Sequence, residues 1–159
     1  MTGKIDFTLA VNGKDYAVRV EPRRTLADTL RDECGLTGTN SGCEHGVCGC
    51  CTVLVDGEPV RSCLMFAIQA QGKKIRTVEG LADGDKLHPL QRAFIEHHGL
   101  QCGFCTPGFL MLAVGTLERE PDISDEALLD VLSSNLCRCT GYQNILKAVR
   151  AAAAQMRAR

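Results

Sequence analysis

Ten cysteines in 159 residues limit what this chain can fold into more than any other feature. They make up about 6% of the sequence, below the 8–10% of short secreted disulfide scaffolds. The first ten residues carry Lys4 and Asp6 and lack a continuous apolar stretch, so they do not read as a signal peptide. The longest strongly apolar run, Phe109–Val114, is far too short to span a bilayer. A cytoplasmic location follows as the expectation. Thiols stay reduced there, so metal ligation is expected in place of disulfides.

The cysteines divide between the two halves of the chain. In the first half, Cys43-x4-Cys48-x2-Cys51 is followed by a distant Cys63. This is the C-x4-C-x2-C…C spacing of plant-type [2Fe–2S] sites. A binuclear cluster needs four converging thiolates, and a single wrapped loop can supply three of them. Gly42, Gly46 and Gly49 are interspersed with these cysteines. Their backbone freedom lets N–H groups approach and face sulfur. That matters because two ferric ions, two sulfides and four thiolates carry a net −2, and reduction makes it −3. Cys50 and Cys51 are adjacent, and only Cys51 keeps the x2 spacing from Cys48, so Cys51 is read as the ligand. Cys34 falls at helical spacing from Leu30 and is read as a small buried hydrophobe. In the second half, Cys102-x2-Cys105 precedes Pro107, a helix-entry residue. Cys137 and Cys139, at i, i+2, would diverge by about 200° on a helix and so are expected on a turn. Four thiolates from two helix junctions again make a tetrathiolate site. Zinc is a rival at both sites, although neither group matches the usual C-x2-C…C-x2-C pattern. A redox dithiol also stays open for the second group.

Around these sites the pattern is α+β. Ile5, Phe7, Leu9 and Val11 alternate with polar or small residues, as do Tyr16, Val18 and Val20, and Asn12-Gly13 between them predicts a tight hairpin. Thr25 can cap a helix that Gly35 ends, with Asp28 placed to bond back to the cap. Thr52–Val55 and Val60–Ser62 form a second hairpin around Asp56-Gly57, and Ile75–Val78 is a last strand. Gly80–Lys86 is polar and places a domain boundary, dividing residues 1–79 from 80–159. Four short helices follow. Pro89 starts the first, which runs to Gly99, and Pro107 starts the second, which ends before Pro121. Ser124 caps the third, and Gly141 precedes the fourth. Net charge is −1, sequence pI about 6.4, and there is no Trp. A basic footprint and an aromatic stacking platform are both missing, which excludes a nucleic-acid binder.

Four segments together resemble a known family. They are Gly42-Cys-Glu-His-Gly-Val-Cys-Gly-Cys-Cys-Thr-Val53, Ser62-Cys-Leu64, Gln101-Cys-Gly-Phe-Cys-Thr-Pro-Gly108 and Asn135-Leu-Cys-Arg-Cys-Thr-Gly-Tyr142. In this order and spacing they resemble the small iron–sulfur subunit of the molybdenum hydroxylases, the family of xanthine dehydrogenase, carbon monoxide dehydrogenase and 4-hydroxybenzoyl-CoA reductase. The resemblance implies a plant-ferredoxin-like β-grasp domain followed by a four-helix [2Fe–2S] domain. It implies that Cys43, Cys48, Cys51 and Cys63 hold one [2Fe–2S] cluster, and Cys102, Cys105, Cys137 and Cys139 a second one nearer the molybdenum. Gln101 matches the glutamine that contacts the molybdopterin of the molybdenum cofactor in a partner large subunit. A medium subunit with FAD, and a dimer of heterotrimers, are implied as well. The family commonly has Ala where this chain has Cys50.

Other candidates take bland readings. His45 lies in the first cysteine loop, but a Rieske centre needs two such histidines, and four cysteines are already present. His97-His98 are read as helix-end residues interacting with terminal carbonyls, and His88 as a boundary residue. Two functions result: an electron-transfer subunit of an oxidoreductase complex, with no substrate site or nucleotide motif of its own, or a zinc-stabilised binding module without redox chemistry. The sequence does not name the substrate, because specificity would reside in the large subunit.

Overall fold

A computed structural model of the chain describes residues 3–158. Met1 and Thr2, the start of the stretch read above for a signal peptide, lie outside the described residues, as does Arg159. Strands β1 (Ile5–Val11) and β2 (Lys14–Val20) pair antiparallel, ending at Val11↔Lys14. The residues between them, Asn12 and Gly13, have φ of 52° and 75°, as the expected type I′ turn requires. Phe7, Leu9, Val11, Val18 and Val20 are the buried face. Asn12 also anchors the hairpin: its amide bonds the Thr77 N–H and hydroxyl, both at 2.9 Å.

Helix α1 (Leu26–Asp32) starts as expected, with the Thr25 hydroxyl accepting from the Asp28 N–H at 3.1 Å. The reciprocal bond does not form as expected. The Asp28 carboxylate turns toward Arg24 instead, 4.0 Å from its Nε, because a charged partner is within reach. Strands β3 (Thr52–Val55), β4 (Glu58–Arg61) and β5 (Lys74–Arg76) complete a five-stranded sheet of order β2-β1-β5-β3-β4. Strand β5 runs parallel to β1 and antiparallel to β3. Two boundaries differ from expectation. Val78 leaves the last strand for a 3₁₀ turn (Val78–Gly80), and Ser62 leaves β4 for another (Ser62–Leu64), which carries Cys63. Such single turns lack a periodicity by which sequence could show them.

Helices α2 (Pro89–Glu96), α3 (Thr106–Arg119), α4 (Asp125–Ser133) and α5 (Gln143–Arg157) follow. Ser124 caps α4 by accepting from the Ala127 N–H at 3.2 Å. His88 does more than mark a boundary. Its Nδ1 accepts from the Leu90 N–H at 3.2 Å, while the Gln91 side chain accepts from the His88 N–H at 2.9 Å. A histidine in this reciprocal cap was not foreseen, because Ser, Thr, Asp and Asn are the usual signals. Among the described residues, no helix is long and apolar enough to cross a membrane.

Strand β3 shows why the two halves meet. All four of its residues are buried, because a layer covers each face. Val53 and Val55 join Leu26 and Leu30 of α1 beneath the sheet. Leu54 points the other way, into the core built by α2–α5. Helix α3 lies on that face with Gly108–Leu117 buried throughout. It comes so close that a Cβ on Gly115 would stand 2.6 Å from Leu54 and 2.8 Å from Pro59.

Candidate metal centres

The loop between α1 and β3 carries the first cysteines. Gly46 and Gly49 take φ of 84° and 75°, and Glu44 also has positive φ. This winding turns consecutive N–H groups inward, as in an anion-binding nest. The Cys48 N–H meets the Cys43 sulfur at 3.3 Å. With the His45 N–H it holds the Cys43 thiol down at about 6. Cys63 behaves oppositely. Burial and its contact with Cys51 push it up to about 12, although the Gly46 N–H also points at it. Cys51 and Cys63 pack together against Ala27 of α1. The Ser62 hydroxyl secures this pair by donating to the Cys51 carbonyl at 2.6 Å. His45 is occupied locally, its Nδ1 against the Cys43 carbonyl.

The second group forms where α3 begins and where α4 gives way to α5. Cys137 and Cys139 lie on an irregular turn, as expected. The Cys139 and Cys102 sulfurs are 3.4 Å apart, and Cys105 contacts Cys137. Donors again face sulfur. The Phe104 N–H leads in lowering the Cys102 thiol. At Cys137 burial acts upward, but the Thr140 hydroxyl, 3.0 Å from Sγ, together with nearby N–H groups, brings the thiol below its ordinary value. Cys105, more enclosed and beside Cys137, is raised to about 12 by burial.

The sulfurs of both groups therefore stand in pairs: Cys43 with Cys48, Cys51 with Cys63, Cys102 with Cys139, Cys105 with Cys137. Among the described residues, no three His, Cys, Asp or Glu side chains close around a single point as one ion would need. A binuclear cluster takes thiolates in twos, one pair per iron. Paired sulfurs ringed by N–H donors fit an anionic [2Fe–2S] group in each place.

Comparison with known proteins agrees. Residues 9–82 match the 2Fe-2S iron-sulfur cluster binding domain, and residues 77–150 match a [2Fe-2S] binding domain. The chain is 55% identical over 153 residues to the nicotine 6-hydroxylase small subunit of Paenarthrobacter nicotinovorans, covering 96% of this chain and 92% of that one. It is 57% identical over 146 residues to caffeine dehydrogenase subunit gamma of Pseudomonas sp. (strain CBB1), covering 90% and 87%. It superposes on a chain of quinoline 2-oxidoreductase from Pseudomonas putida 86 with TM-score 0.92 and 51% identity, covering 98% and 97%. The chain belongs to the small [2Fe–2S] subunits of the molybdenum hydroxylases.

As such a subunit it transfers electrons within an oxidoreductase complex. These matches do not support the zinc-stabilised alternative, since both family models describe [2Fe–2S] binding. Gln101 is exposed on the loop leading into Cys102. Cys34 is only half buried. It packs beside the sheet core, and burial raises its thiol to about 11.

Sequence reasoning missed what joins the two centres. The Leu136 N–H donates to the Cys48 carbonyl at 2.9 Å, and the Asn40 amide to the Phe104 carbonyl at 2.8 Å. Arg61 spans from the Thr52 hydroxyl (2.5 Å) to Ser134 (3.1 Å). Gly108 lets the first turn of α3 rest on the Gly49 carbonyl, and a Cβ there would also come 2.9 Å from Cys50 Cα. The one visible hint was a glycine in the first turn of a helix, where helix formers are favoured.

Proposed function

We propose that Cys43, Cys48, Cys51 and Cys63 ligate one [2Fe–2S] cluster and that Cys102, Cys105, Cys137 and Cys139 ligate a second. On this reading residues 1–79 are a β-grasp ferredoxin-like domain and residues 80–159 a four-helix [2Fe–2S] domain. The pairing of eight sulfurs within two sets of N–H donors carries the assignment. Each cluster, when bound, supplies a one-electron carrier. The polypeptide holds the sulfurs as thiolates, offsets the added charge with backbone donors, and keeps the two centres in register through the joint between their loops. Iron and acid-labile sulfide in the native complex are expected at four each per chain. Two irons per chain in fully loaded complex, or stoichiometric zinc, would contradict the second cluster.

The partners in this proposal are a large subunit holding the molybdenum cofactor and a medium subunit with FAD, assembled as a dimer of heterotrimers in the cytoplasm. Apolar side chains exposed beside both cysteine groups support docking there: Val47 and Leu64 near the first, Phe104 and Leu136 near the second. Gln101, next to Cys102, is assigned to the molybdopterin side, where its amide offers two donors and an acceptor. Gln101→Ala is expected to keep both clusters and slow electron transfer out of the large subunit. The stability cost is on the order of 1 kcal/mol if a buried partner group in the complex is left unpaired. Rapid-kinetic reduction of the assembled complex by its substrate checks this. An unchanged rate of cluster reduction at full molybdenum occupancy would make Gln101 an ordinary loop residue.

A further inference from the structure

Among the described residues, three arginines tie the sheet half to the helical half. Arg76 does so by an ion pair with Glu118 at 2.8 Å, and Arg119 by one with Glu58. Arg61, the last residue of β4, does so without a carboxylate. Its guanidinium donates to the Thr52 hydroxyl at 2.5 Å and to the Ser134 carbonyl and hydroxyl, both at 3.1 Å. Among the described residues no ion pair includes it. Its place is the joint between the two centres. Thr52 follows Cys51, Arg61 itself is separated from Cys63 only by Ser62, and Ser134 ends α4 just before the turn that carries Cys137 and Cys139. The Thr52 hydroxyl passes the contact on by donating to the Gly49 carbonyl at 2.7 Å, next to Cys48. Thr52 is 2% exposed and Asn135, beside Ser134, 1%, so the guanidinium meets buried protein on this side.

We propose that Arg61 is a positioning residue for electron transfer: a guanidinium held in the joint by neutral oxygens, whose fixed positive charge favours the added electron on the N-terminal [2Fe–2S] cluster. The inference rests on the ligand assignment above. That cluster is −2 oxidised and −3 reduced. A nearby positive charge stabilises the second form more than the first, so it raises the reduction potential. One electron enters, and no bond to Arg61 forms or breaks. The guanidinium keeps its charge in any protein setting. The N-terminal cluster feels it more than the helical-half cluster does. Arg61 adjoins both members of the Cys51–Cys63 pair, whereas it reaches the other centre only through Ser134. A carboxylate among its partners would offset most of this charge, as Glu118 and Glu58 do for the other two arginines. The neutral partners at Thr52 and Ser134 leave it to act on the clusters.

The test is an EPR-monitored redox titration of the assembled holo-complex as wild type, Arg61→Gln, Arg61→Lys and Ser134→Asp. Iron and sulfide are counted in each, and the N-terminal signal is identified by its loss in Cys51→Ala. Arg61→Gln is expected to keep four irons per chain. It should lower the reduced-to-oxidised ratio of the N-terminal cluster at fixed potential by roughly three- to tenfold, tenfold being about 59 mV for one electron. The helical-half cluster should move less. Arg61→Lys, which keeps the charge but not the fork between Thr52 and Ser134, should restore most of the shift, which a purely structural strap would not produce. Ser134→Asp keeps Arg61 and gives it an ion-pair partner, so its N-terminal midpoint should fall as well, whether or not Arg61→Gln assembles. An unchanged N-terminal midpoint in Arg61→Gln or in Ser134→Asp, with four irons present, would overturn the role of the charge, as would Lys behaving like Gln. Two irons per chain in the wild type, or survival of both signals in Cys51→Ala, would overturn the ligand assignment instead.

Discussion

Cys51→Ala is expected to halve the iron of the assembled protein and erase one of its two reduced-cluster EPR signals, while Cys34→Ser keeps both. The contrast follows from position. Cys51 and Cys63 are packed against each other and Ala27 at the start of β3, and the Ser62 hydroxyl on the Cys51 carbonyl fixes their spacing. On the proposed assignment, removing Cys51 leaves one iron a thiolate short. Cys50, although adjacent, lines a crevice between the two centres beside Gly42 and Cys48, which Cys51 does not. Cys50 and Cys51 are the central residues of the turn closed by the Thr52 N–H on the Gly49 carbonyl at 3.2 Å, so Cys50 cannot take over without breaking that turn. Retention of both signals in Cys51→Ala, with loss of one in Cys50→Ala, would reverse the two roles. Cys34 is a half-buried thiol beside the sheet core, and serine there changes little more than one sulfur.

Gly108→Ala is expected to damage both centres at once. The new Cβ would collide with the Gly49 carbonyl and stand 2.9 Å from Cys50 Cα. These are backbone atoms, so no side-chain rotation relieves the contact. Moving α3 away would disturb its buried run from Gly108 to Leu117. Moving the loop would strain the Gly49 turn, whose φ of 75° already depends on glycine. Overpacking of this kind costs about 1–3 kcal/mol. For a chain of this size that corresponds to a melting temperature lower by roughly 3–10 °C. Iron content and the two EPR signals should fall together, since the displaced atoms belong to one loop and the displacing helix carries the other group. Loss confined to the helical-half signal, at unchanged melting temperature, would show that the contact is not shared.

Much of the molecule was legible because its determinants are local. The Asn12-Gly13 hairpin, the Thr25 and Ser124 caps and the Pro89 helix start each depend on a few neighbouring residues, and each stands as read. The cysteine spacing pointed to four ligands per group, and the structure brings those sulfurs into pairs. The joint between the loops was not legible. Its bonds link Cys48 to Leu136 and Asn40 to Phe104, residues far apart in sequence that periodicity cannot relate. The direction of the Cys50 side chain was equally hidden, because it depends on the Gly49 backbone and on the empty space at Gly42. Asp28 was misread for a simpler reason. An N3 carboxylate can bond back to its cap, but Arg24 offered a charged alternative nearby.

The two-sided burial of β3 bears on how this chain can be handled as a molecule. A cut within Asp83–Lys86 would pass through exposed, polar residues and look harmless in the sequence. The N-terminal fragment would then carry Leu54 bare to water, and the C-terminal fragment the whole apolar flank of α3. Each would present a sticky surface shaped to the other. The sheet and the four helices are therefore expected to unfold together, and a protease nicking the connector to yield a non-covalent pair held by its interface.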